Sequence, residues 1–190
     1  MLKTASLRPT RSAQTAKTAF LAVLGSEIIF FGTLVMAFIY MRTDTTTWQG
    51  ASYSLSRLLL PGGNTILLLV SAVTMALGLR SIRQGKPAAL RNWTVVTLVL
   101  GLVFIAGQAL EFSSAGMKIN DQAFGGVFFT LMGFHAVHVL AGILMLVAVL
   151  WRNALGDFNV RRHVAVQIGT WFWYFVTAVW VVLFTALYLV

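Results

Sequence analysis

Five apolar runs, at about residues 18–41, 62–79, 93–112, 124–151 and 164–190, divide this 190-residue chain, with charged residues punctuating the gaps. A bilayer core about 30 Å thick takes about 20 apolar residues per spanning helix, so each run is a membrane-crossing candidate. The second is the shortest and the fourth the longest, which implies tilt or extension into the headgroup region. Backbone in hydrocarbon must satisfy its own hydrogen bonds within a helix or a closed barrel, and the alternating segments of a barrel are absent. The expected fold is therefore all-α, a polytopic membrane protein built as a bundle of five transmembrane helices. Only 10% of the residues are charged, against about 25% in soluble domains, which argues against a water-soluble enzyme. The absence of cysteine excludes a disulfide frame, an iron–sulfur cluster, a thiolate copper site and a thiol nucleophile.

Orientation follows from the basic residues, because cytoplasmic segments retain the positive excess. The amino-terminal tail (Lys3, Arg8, Arg11, Lys17), the second loop (Arg80, Arg83, Lys86, Arg91) and the fourth loop (Arg152, Arg161, Arg162) hold 11 of the 14 Lys and Arg. Arg42, Arg57 and Lys118 fall in the other two loops. The amino terminus is expected in the cytoplasm and the carboxyl terminus on the opposite face. The net charge of +9 is thus a topology signal with attraction to anionic membrane lipid, and no nucleic-acid partner is expected, since the basic groups do not form one water-facing patch. The first apolar run exceeds the roughly 7–15 residues of a signal-peptide core and is read as a mature helix, preceded by a basic tail over residues 1–17 that is mobile or ordered by a partner. Residues 18–190 form the transmembrane domain.

Pro61 is expected to open the second helix, where its missing N–H does no harm, and Asn120 or Asp121 to cap the fourth. Gly125, Gly126, Gly133, Ala136, Ala141 and Gly142 mark the fourth helix as one that neighbours can approach closely.

Chemistry is sought among polar side chains at membrane depth, which are expensive unless paired. These are Glu27, Glu111, His135 and His138, with the amides Asn64, Gln108 and Gln167. At 1.5 Å per residue, Glu27 lies about 14 Å inside the cytoplasmic edge of the first helix and His135 about 16 Å inside the opposite edge of the fourth. In a core about 30 Å thick the two reach nearly one depth, and His138 follows His135 by one turn. Glu27 is therefore expected to pair with His135 or His138. Such a pair can pin two helices or act as a protonatable relay. A metal or haem site is disfavoured, because residues at i, i+3 share a side and His163 lies at a loop. No catalytic, cofactor-binding or metal-ligating residue is assigned. Glu111 is read as a carboxylate reaching the headgroups or a loop partner, and Asn64 and Gln108 as interhelical bonding groups.

The stretches Gly25-Ser26-Glu27-Ile28-Ile29-Phe30-Phe31, Leu60-Pro61-Gly62-Gly63-Asn64-Thr65, Gln108-Ala109-Leu110-Glu111-Phe112 and Phe128-Phe129-Thr130-Leu131-Met132-Gly133-Phe134-His135-Ala136-Val137-His138-Val139 occur in order. Trp171-Phe172-Trp173-Tyr174-Phe175 and Val179-Trp180 follow, Trp171, Trp173 and Trp180 being read as packing aromatics. In these motifs the chain resembles subunit III of the haem–copper respiratory oxidases, in its shortened five-helix form. The resemblance implies an accessory subunit without cofactors of its own, docked on the catalytic subunit I. Haem and copper lie in partner subunits, and subunit II receives electrons. It further implies support of proton uptake during reduction of oxygen to water, contact with phospholipid, and a multi-pass position in a bacterial plasma membrane. The long form of the family has two more helices that help shape a lipid cleft. Tyr174 and Thr177 stand where the family generally has His and Asp, so no role of that His or Asp carries over. A quinol oxidase or nitric-oxide reductase partner, and an independent proton-coupled channel or transporter, are the competing readings.

The partition of basic residues predicts that a cysteine replacing Lys118 is labelled from the non-cytoplasmic side, and one replacing Lys86 only after permeabilisation. The reverse pattern would invert the orientation.

Overall fold

The computed structural model describes residues 11–44, 55–114 and 122–189, with side chains described at 11–41, 59–111 and 126–189. Five helices account for nearly all of them: α1 (Arg11–Asp44), α2 (Leu55–Arg83), α3 (Pro87–Ser114), α4 (Gln122–Ala154) and α5 (Val164–Phe184). A π-helical turn, Thr185–Leu189, closes the last. Each helix contains a segment long and apolar enough to cross a membrane, and no strand occurs among the described residues.

Two boundaries differ from the sequence expectation. The first helix starts at Arg11 and runs through Lys17, because no proline or glycine separates Pro9 from Gly25 and nothing local stops propagation. Pro61 lies inside α2 and does not open it. The missing N–H falls near the start of the apolar span, and Thr65 Oγ1 donates to the Pro61 carbonyl at 2.8 Å. A neighbouring hydroxyl of this kind is what lets proline persist in a membrane helix. The proposed caps Asn120 and Asp121, and loop residue Lys118, lie outside the described residues.

The α2–α3 turn and the α4–α5 loop lie at one end of the bundle, which carries most of the basic residues. Both preceding helices end in the same way. Gly85 (φ 74) and Gly156 (φ 77) adopt the left-handed conformation. Lys86 N donates to Ser81 O at 3.0 Å, and Asp157 N to Arg152 O at 3.1 Å. The bonds satisfy carbonyls that the helix end would otherwise leave without donors, and they need a residue that tolerates positive φ. Pro87 then starts α3 at a position that requires no donor.

The helices pack with α5 at the centre: it meets α1, α2 and α4, while α3 bridges α2 and α4, and α1 rests on α4 and α5. The reason is legible in one side chain. Trp173 is fully buried, and its indole fits where Gly101 of α3 and Gly142 of α4 leave room. A Cβ at those positions would stand 2.7 Å and 2.9 Å from the ring. Its Nε1 donates to Ser71 Oγ of α2 at 2.9 Å. One ring thus meets three helices. Thr74 and Thr97 add a hydroxyl–hydroxyl bond between α2 and α3 at 2.8 Å. The glycines expected to let neighbours approach α4 divide. Gly142 is used, but a Cβ at Gly126 or Gly133 would meet nothing within 4 Å, because those two glycines lie on a face of α4 that no described helix covers, while Leu131, Met132 and His135 beside them are buried.

Between α1 and α5 an apolar groove of about 670 Å³ opens, lined among others by Leu24, Ile28, Phe31, Phe175, Val179 and Val182.

If Trp173 sets the close approach, Gly142→Ala is expected to destabilise the protein by about 1–3 kcal/mol, the range for overpacking. The effect should shrink in a Trp173→Phe background, measured by thermal melting in detergent. Equal losses in both backgrounds would show that the ring does not set the spacing.

Candidate functional site

Glu27 lies on the stripe of α1 that turns toward the bundle, one turn before Phe31, itself 3% exposed. Its Oε2 is 3.2 Å from His138 Nε2 on α4. The expected carboxylate–imidazole pair is therefore present, and His138 is the partner. It sits at the seam where α1 meets α4, with the side chains 29% and 17% exposed. The His138 ring is stacked on Phe172 at 6.3 Å and edged by Phe31 at 5.0 Å, so the pair is walled by aromatic carbon on the bundle side.

The other imidazole nitrogen decides the protonation chemistry. His138 Nδ1 is 2.7 Å from the carbonyl oxygen of Phe134. A carbonyl only accepts, so Nδ1 carries the hydrogen and donates. Nε2 of a neutral ring is then an acceptor facing a carboxyl oxygen, and two acceptors at 3.2 Å need a proton between them. The bridge holds that proton either as carboxylic acid donating to imidazole or as imidazolium donating to carboxylate. In both forms a single proton is shared.

His135 does not join this pair. Successive residues on an α-helix are about 100° apart, so positions three apart fan by about 60°, enough to aim the two rings at different neighbours. His135 is fully buried, stacked on Trp180 at 5.3 Å, with Phe104 edge-on at 6.2 Å. Phe31 is edge-on to both histidines, its ring centre 6.5 Å from that of His135 and 5.0 Å from that of His138. Neither His135 nitrogen has a protein hydrogen-bond partner among the described residues. Among those residues no three metal-ligating side chains converge.

Asn64 and Gln108 are buried, at 4% and 1% exposure. Asn64 packs on α3 at Gly107, the residue before Gln108, where an added Cβ would stand 2.5 Å from its amide. Glu111 accepts the Tyr188 hydroxyl, a bond between α3 and the π-helical turn that follows α5. Trp173 and Trp180 are fully buried while Trp171 is half-buried. Trp180 Nε1 donates to Thr65 Oγ1 at 2.9 Å. Thr177 is buried and donates to the Trp173 carbonyl at 2.9 Å, and Tyr174 lines the α1–α5 groove.

Tyr188, Ser71 and Thr65 escaped the sequence reading. Serine and threonine hydroxyls commonly bond back to their own helix, as Thr65 does to Pro61, so their sequence positions carry no signal of an outside partner. The aromatic donors Trp173 and Trp180 were the available clue, since a buried indole N–H requires an acceptor on a neighbouring helix.

A family model described as cytochrome c oxidase subunit III matches residues 10–190. The chain is 35% identical over 170 residues to a cytochrome c oxidase subunit 3 from Synechocystis, covering 89% of this chain and 72% of that protein. It is 32% identical over 170 residues to one from Thermostichus vulcanus, covering 89% and 84%. A subunit 3 from Corynebacterium diphtheriae is 32% identical over 176 residues, covering 88% and 84%.

Replacing Glu27 by alanine removes the α1–α4 bond and is expected to weaken helix association by about 0.6–2 kcal/mol, the range for interhelical hydrogen bonds in membranes. Glu27→Gln retains a donor for His138 Nε2 and should lose less. Equal melting of both variants and the wild type would refute a structural contribution from the pair.

Proposed function

The chain belongs to the cytochrome c oxidase subunit III family, and from that premise we propose that it serves as the cofactor-free accessory subunit of an aerobic terminal oxidase. In this reading it docks on the catalytic subunit I, which holds the oxygen-reducing haem–copper centre, while subunit II receives electrons. The chain itself performs no redox chemistry; it stabilises the catalytic subunit and supports its proton uptake as oxygen is reduced to water. Family membership displaces the independent transporter. The names of the relatives support a cytochrome c oxidase over a quinol oxidase or nitric-oxide reductase.

The observation that carries the proton role is the Glu27–His138 bridge. It sets a carboxyl oxygen 3.2 Å from an imidazole nitrogen, two groups that exchange a proton through one hydrogen bond. Partial exposure at the α1–α4 seam leaves it able to exchange, while Phe31 and Phe172 keep it apart from the bundle interior. A group of this kind beside a proton-consuming partner buffers the local supply. The apolar α1–α5 groove suits an acyl chain, consistent with phospholipid contact. The relatives from Synechocystis and Corynebacterium support a bacterial plasma membrane, with the basic end of the bundle in the cytoplasm.

Deleting the chain is expected to leave the haem absorption spectrum of the purified oxidase largely intact while sustained turnover falls. Loss of the haem bands from a still-assembled partner would instead make this chain a ligand donor. In Glu27→Gln, turnover should decline increasingly as pH rises, because proton delivery becomes limiting where protons are scarce. Wild-type turnover across the pH range would remove the proton role.

A further inference from the structure

Three polar side chains in the half of the bundle away from the basic end have no protein hydrogen-bond partner for Asn64 Nδ2, for both amide atoms of Gln108, or for either nitrogen of His135, among the described residues. All three are more than nine-tenths buried. They belong to one layer. Asn64 lies on the backbone of Gly107, immediately before Gln108. Its neighbour Thr65 accepts from Trp180, and Trp180 stacks on His135. Phe104, one turn before Gln108 on α3, edges both Trp180 at 4.8 Å and His135 at 6.2 Å. Helices α2, α3, α4 and α5 each contribute to the layer.

Buried polar groups without protein partners are satisfied by internal water, each such molecule making about three hydrogen bonds. The three groups suit this ligand. The two amide N–H groups donate and the Gln108 carbonyl accepts, and a neutral His135 adds one donor and one acceptor. A mixed, uncharged set matches water, which does both, and gives a bare cation no carboxylate within these three residues.

We propose that Asn64, Gln108 and His135 form an internal water-binding site inside the α2–α5 bundle. Glu111, one turn beyond Gln108, and Tyr188, delivered by the π-helical last turn, bond to each other at its outer end. Phe31 packs edge-on against both His135 and His138, and the hydrogen bonds of His138 run to Glu27 and Phe134, not to this site. The proposal does not depend on the accessory-subunit reading, because it concerns how this bundle satisfies its own interior.

The test is a high-resolution electron cryo-microscopy map of the intact wild-type oxidase containing this chain, paired with thermal melting of Gln108→Met, which keeps length and apolar bulk but removes the amide. The expected map has ordered water within hydrogen-bond distance of Gln108 and of Asn64 or His135. The expected variant melts lower than the wild type, because water bonded to the amide loses its partners. The site would be overturned by a map that resolves other buried waters but none here. Direct amide–amide or amide–imidazole bonds in their place would overturn it too, as would a Gln108→Met variant that melts higher, the mark of an amide that was bonded to nothing. If the variant does not assemble, the wild-type map alone decides.

Discussion

The indole of Trp173 is the point on which the bundle depends. Helices in lipid gain nothing from hiding apolar surface from one another, since the tails around them are equally apolar. Close packing and a few interhelical hydrogen bonds must therefore hold them. Trp173 supplies both: its ring occupies the space left by Gly101 and Gly142, and its N–H reaches Ser71. Helices α2 to α5 are thereby joined around one residue. Trp180, two turns further along α5, repeats the device with Thr65.

The first helix stands apart from this arrangement. It rests on α4 and α5, and most of its surface is turned outward. Its titratable contact with the bundle, Glu27 with His138, consequently lies at a seam open to the surroundings. The unpartnered polar groups of the interior lie among the helices that the tryptophans hold. The division gives the protein two polar regions of different character: one accessible, carrying a single shared proton, and one sealed, whose satisfaction must come from within.

The sequence carried the spans and the depth of the polar groups, because apolar run length and helical rise translate directly into position along the membrane normal. That arithmetic brought Glu27 to the level of the histidines. It did not distinguish His138 from His135, since rotation about the helix axis is fixed by neighbours that a linear pattern does not specify; a fan of about 60° separates a seam from a core. The glycines of α4 illustrate the same limit. Their spacing looked alike, yet Gly142 faces Trp173 and Gly133 faces open space. The Glu111–Tyr188 bond also lay beyond reach, because a π-helical turn shifts the angular position of every residue after it, and nothing in Thr185–Leu189 announces that turn.

The Glu27–His138 bridge requires one proton between the two side chains while Nδ1 is committed to the Phe134 carbonyl. Nitrogen NMR of the intact oxidase with isotopically labelled histidine, assigned by loss of the signal in a His138→Gln variant, reads this directly near neutral pH. The expected spectrum has a protonated Nδ1 together with an Nε2 resonance characteristic of a strong hydrogen bond to the carboxyl, lost in Glu27→Ala. A neutral ring protonated at Nε2 with a bare Nδ1 would contradict it, because the carbonyl would then face a lone pair and the bridge could not exist in the form described.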